Sequence, residues 1–144
     1  MRKRGSVFIL SQERDKDLFR AYRVVLRKQL QLYGRVTLTG IMEKVVNSPA
    51  PRYWVSSDRA YSVILRMDKG QPVRMKPRAK VFYKSLYKDF CIYREKHPEL
   101  PIKHIVEIVI QQPAPCFMIS SEFARMIIFK MRKLCRQEYG KHIS

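Results

Sequence analysis

The tripeptide Pro-Ala-Pro occurs twice in the chain, at 49–51 and 113–115, and the offset of 64 residues carries a repeat that extends well beyond the prolines. Aligned at that offset without gaps, Ile41 to Met67 and Ile105 to Met131 are identical at 11 of 27 positions, among them Glu43 with Glu107, Ser56-Ser57 with Ser120-Ser121, and Ala60 with Ala124. Other pairs are conservative, as in Tyr53 with Phe117, Asp58 with Glu122 and Val63 with Ile127. The match thins upstream but still sets Phe19-Arg20-Ala21-Tyr22 against Tyr83-Lys84-Ser85-Leu86. Such a chain folds by using one supersecondary unit twice.

Each copy reads as helix, helix, short extended segment, helix. Leu18, Phe19, Tyr22, Val25, Leu26, Leu30 and Tyr33 recur at helical spacing, and Gly34 stops that helix. In the second copy Pro77 suits a first helical turn, Val81, Phe82, Leu86, Phe90 and Tyr93 follow, and Pro98 ends the run. Helix two is short and apolar, at about 38–47 and 101–111, opening at Thr37 or Pro101 and closed by the prolines. Arg52-Tyr53-Trp54-Val55 and Cys116-Phe117-Met118-Ile119 have strand-like composition. Ser56-Ser57-Asp58 and Ser120-Ser121-Glu122 then combine an N-cap with a first-turn acid, which starts helix three in both copies. It ends near Asp68-Lys69-Gly70 in the first copy and runs on towards Tyr139-Gly140 in the second.

The fold expected is therefore mainly α. A basic N-terminal arm spans 1–15, the first unit 16–68, a Gly/Pro-containing linker 69–79 and the second unit 80–144. Units this small cannot each bury a core alone, which predicts one body with pseudo-two-fold symmetry and antiparallel pairing of the extended segments. Helix two, a turn and a capped helix three resemble a helix-turn-helix in the order of elements. The segment 48–56 is longer than the usual three- or four-residue turn, which favours a looser variant.

Thirty Lys and Arg against twelve Asp and Glu leave a net charge of +18, more than solubility requires and suited to a polyanion. Nucleic acid is the leading partner, DNA ahead of RNA, because each phosphate neutralised releases counterions. No apolar run reaches the length of a membrane span, and the stretch after Met1-Arg2-Lys3-Arg4 is too short for a secretory signal, so a cytoplasmic protein is expected, nucleoid-associated if it binds DNA. An RNA-binding subunit of a larger nucleoprotein complex, or a basic protein-interaction or virion-packing module, fits the same charge.

Helix three supplies the leading contacts to phosphate or base edges: Arg59, Arg66 and Lys69 in the first copy, Arg125, Lys130, Arg132, Lys133 and Arg136 in the second. The linker adds Arg74, Lys76 and Arg78, with Lys80 just beyond it. Arg2, Lys3 and Arg4 fit either an arm reaching a minor groove or a disordered basic tail. Alternation puts Tyr53, Val55, Phe117 and Ile119 towards the core, and Arg52 and Trp54 on the other side with Cys116 and Met118. Arg52 and Trp54 are then candidates for backbone contact and base stacking, although a Trp is more often core.

Nothing points to catalysis, a cofactor or a metal. The sequence has no Gly-rich phosphate loop, HExxH, GxSxG or carboxylate cluster. Cys91, Cys116 and Cys135 are odd in number and widely spaced, and are read as buried thiols. The matching Glu43 and Glu107 are read as buried or capping acids beside an Arg.

Overall fold

Residues 2–143, and the side chains of 9–138, are described by a computed structural model with six α-helices: α1 (Arg2–Tyr33), α2 (Leu38–Val46), α3 (Ser57–Asp68), α4 (Pro77–Lys96), α5 (Ile102–Val109) and α6 (Ser121–Ile143). The protein is mainly helical, and its local stop signals act as their chemistry dictates. Gly34 leaves α1 at φ 74°, and Gly70 follows α3 at φ 71°, the left-handed region where a Cβ is penalised. Thr37 Oγ1 accepts from Gly40 N at 3.2 Å, Ser56 Oγ from Arg59 N at 3.2 Å and Ser120 Oγ from Phe123 N at 3.1 Å, each meeting one of the donors a helix start leaves without a partner.

Two departures from the expected elements have simple causes. Residues 2–15, expected as an arm, are the leading turns of α1, with no breaker between them and the apolar run from Leu18. The extended segments form no strand among the described residues. The only pairing there is a single antiparallel bridge, in which Ala50 N donates to Ala114 O and Ala114 N to Ala50 O, both at 3.0 Å. Proline flanks each alanine on both sides and has no N–H, so the ladder cannot extend beyond one residue.

The chain divides into two compact units, one of Met1–Ser48 with Ile119–Ser144 and one of Pro49–Met118. These boundaries differ from those of the repeat. The first unit packs α1, α2 and α6 together; the second packs α3, α4 and α5. Each unit thus joins helices one and two of one copy to helix three of the other. Helix two does not pack against the helix three that follows it, as a helix-turn-helix would require: α2 lies on α1 and α6, and α5 on α3 and α4.

In the first unit Leu18, Phe19 and Tyr22 of α1, Ile41, Met42, Val45 and Val46 of α2, and Ala124, Ile127 and Ile128 of α6 are buried, each large aliphatic contributing about 1.5–3 kcal/mol. The periodic residues Leu30 and Tyr33 stay exposed, as does Leu32. In the second unit Ala60, Val63 and Ile64 of α3, Phe82, Tyr83, Leu86 and Phe90 of α4, and Ile105, Val106 and Val109 of α5 close on Tyr53, Val55 and Phe117. Cys116, expected on the opposite side from Phe117, is buried as well, because the segment turns and does not keep a strand's alternation. Ile119 and Met118 are both half-buried, as are Cys91 and Cys135. Glu43 and Glu107 lie on exposed faces and are neither buried nor capping.

Candidate nucleic-acid interface

The second unit holds eight of the expected contact residues. Arg59 and Arg66 are exposed on α3 two turns apart, hence on one face, and Lys69 is exposed at its C-cap. Arg74 and Lys76 are exposed before α4, while Arg78 is half-buried and lowers, by its charge, the pKa of a Cys116 thiol that burial pushes up. Arg59 also lies near the buried Tyr83 hydroxyl. Burial raises the pKa of that hydroxyl, and the neighbouring Arg59 guanidinium opposes the shift only in part.

Arg52 and Trp54 are occupied by each other. The Arg52 guanidinium lies 4.6 Å from the centre of the Trp54 ring, its Nε donates to Tyr53 O at 3.4 Å, and Trp54 Nε1 is buried without a hydrogen-bond partner. One face of the indole is thus covered by a cation, and its N–H edge points inward. A base stacking on that face would have to displace Arg52.

Between the two flanking residues, Tyr53 is fully buried. Its hydroxyl carries one proton, which it donates to Asp89 Oδ2 at 2.8 Å, so Ser85 Oγ at 2.6 Å is the donor to Tyr53. Burial, reinforced by the Asp89 charge, raises its pKa and keeps it neutral. The Tyr53 ring meets Phe82 edge-on at 5.2 Å. The extended segment is therefore anchored to α4, an assignment that alternation alone could not give.

In the first unit α6 presents Arg125, Lys133 and Arg136 to solvent, with Arg132 half-buried. Arg125 lies 5.4 Å from the centre of the exposed Phe129 ring. Lys130 differs from these. Its Nζ is 3.3 Å from Oδ2 of Asp15, a carboxylate in α1 that is only 5% exposed and also takes Arg14 Nη2 at 3.0 Å. Lys130 thus balances a buried charge while its side chain stays largely exposed. Arg2, Lys3 and Arg4 lie in the first turn of α1, and their side chains are outside the described residues.

Sequence reading included Lys76 and Lys80 but missed Lys84, Lys88 and the cations of α1. From Lys69 to Lys88 there are seven Lys and Arg and no acid, and Lys76, Lys80, Lys84 and Lys88, at four-residue spacing, are all exposed along α4. In α1, Lys16, Arg20, Arg23 and Arg27 form a comparable exposed row, although Lys16 pairs with Glu13, Arg20 with Asp17, and Arg23 with the Phe19 ring. The i, i+4 spacing of lysines within an apolar helix was the available signal.

Among the described residues no helix is long and apolar enough to cross a membrane. Comparison with known protein families, with curated proteins and with solved structures finds no match to this chain.

Proposed function

We propose that this chain binds nucleic acid and catalyses no reaction, with double-stranded DNA as the leading partner and helix three of each copy as the leading contact. One observation carries the reading: in a chain of net charge +18, Arg59, Arg66 and Lys69 in one unit and Arg125, Lys133 and Arg136 in the other stand exposed to solvent on or at the end of helix three. Exposed Arg and Lys rows of this kind meet phosphates, and an Arg can also read a guanine edge. Regulatory or architectural work on DNA follows from binding of this type.

Fluorescence anisotropy of a labelled duplex, titrated with the full chain at several salt concentrations, tests the reading. If about six phosphates are neutralised, log K falls with log salt at a slope near −5. No salt-dependent binding to duplex DNA, single strands or structured RNA overturns it. Tighter binding to RNA than to DNA of equal length moves the assignment to a ribonucleoprotein subunit.

A further inference from the structure

The second unit carries a cleft of about 410 Å³ where the end of α3, the segment after Gly70 and α4 meet. Met67, Val73 and Met75 give it an apolar lining and Tyr83 and Tyr87 an aromatic one, while Lys80 and Lys84 of the α4 lysine row border the same space. No acidic residue lines it. Tyr87 is held in place because its hydroxyl donates to Asp68 Oδ1 at 2.9 Å, and Asp68 is itself gripped by both terminal nitrogens of Arg94 at 3.0 Å. That arrangement pre-sets one aromatic wall of the cleft through a charged hydrogen-bond network.

A ligand that satisfies this lining needs a flat, largely apolar body for the methionines and tyrosines and an anionic group for the lysines. Methionine sulfur and aromatic rings both accept a planar heterocycle. Four residues of helix rise about 6 Å, so Lys76, Lys80, Lys84 and Lys88 offer cations at that interval along about 18 Å of α4. A strand with one unstacked base supplies both parts at once, a heterocycle for the cleft and phosphates for the row.

We infer that this cleft receives the base of one unpaired nucleotide, with the neighbouring phosphates held by the lysines of α4. The inference rests on the nucleic-acid reading above and adds to it a preference for strands interrupted by an unpaired base. Both tyrosine hydroxyls are neutral at physiological pH, Tyr87 being pushed up to about 12 by the Cys91 thiol and Asp68, so neither repels phosphate.

The test compares a fully paired DNA duplex with the same duplex carrying one extrahelical 2-aminopurine, using the full chain at one salt concentration. The expected result is tighter binding of the interrupted duplex by about 10-fold, within the range of one stacked base, with a change in 2-aminopurine emission on binding. Val73→Trp, which fills the cleft, is expected to abolish the preference while leaving affinity for the paired duplex unchanged, and Met75→Trp serves if the first variant loses its helical circular dichroism. Equal affinity for both duplexes overturns the cleft assignment but leaves nucleic-acid binding standing. A preference that survives both cleft-filling variants also overturns it, and failure to bind any of the DNA or RNA strands, paired or interrupted, at low salt removes both readings. An RNA duplex with the same extrahelical base forms the parallel arm and decides which backbone the lysine row accepts.

Discussion

Replacing Tyr53 with Phe deletes one oxygen atom and with it two hydrogen bonds, while the ring and its edge-on contact with Phe82 stay in place. The bond to Asp89 is to a charged acceptor, worth about 1.5–3 kcal/mol, and that from Ser85 about 0.5–1.5 kcal/mol. Asp89 and Ser85 are only partly buried, so water can replace the lost partner and the lower part of each range applies. Tyr53 no longer needs to bury a hydroxyl, which offsets some of the loss. The net expectation is a destabilisation of about 1–2 kcal/mol. The single tryptophan, Trp54, is the next residue, so urea unfolding followed by its emission reports on this unit directly. Asp89→Asn gives the double-mutant cycle, in which Tyr53→Phe should cost less once the charge is gone. A Tyr53→Phe variant within about 0.5 kcal/mol of the parent would refute the view that this hydroxyl anchors the extended segment to α4.

Three further outcomes are expected. Tyr87, held protonated to about pH 12, binds its proton more tightly folded than unfolded, so its contribution is complete below about pH 10 and is lost as pH rises towards 12; Tyr87→Phe should flatten that alkaline decline, read by urea midpoints across the window. Asp68 is held below the usual carboxylate range first by its hydrogen bonds from Arg94 and then by that from Tyr87, so its contribution is present above about pH 4 and lost on further acidification; Arg94→Met should remove that part of the acid limb, and an unchanged limb would exclude the Asp68–Arg94 pair as its source. In α6, Lys133→Ala should lower the salt slope of nucleic-acid binding by about 1 without changing stability. Lys130→Ala should instead lower the melting temperature, because it strips one partner from buried Asp15, and equal thermal effects from the two variants would contradict that distinction.

The sequence was sufficient wherever the governing interaction spans a few residues. Ser56, Ser120 and Thr37 cap their helices, Gly34 and Gly70 end two, and Pro77 opens one, because a cap hydrogen bond or a φ restriction is settled by neighbours in the chain. The repeat likewise fixed the order of elements and the helical class. It could not fix which helix covers which apolar face. α2 and α5 present equivalent faces, so either helix three satisfies the burial requirement, and in the fold each packs on the one from the other copy.

The same limit explains the candidate site. Solvent-facing cations such as Arg66 and Lys133 were legible from helical spacing, but Lys130 resembles them in sequence and differs only in having Asp15, 115 residues earlier, beneath it. Trp54 has the composition of a stacking platform, yet Arg52 covers its ring, and the cleft under Lys80 and Lys84 exists only because Met67, Val73 and Tyr87 converge from three segments. Sequence alone determined the helices, their caps and the amount of charge. The tertiary structure decided which charges are neutralised and which aromatic groups are covered, because both depend on contacts between residues distant in the chain.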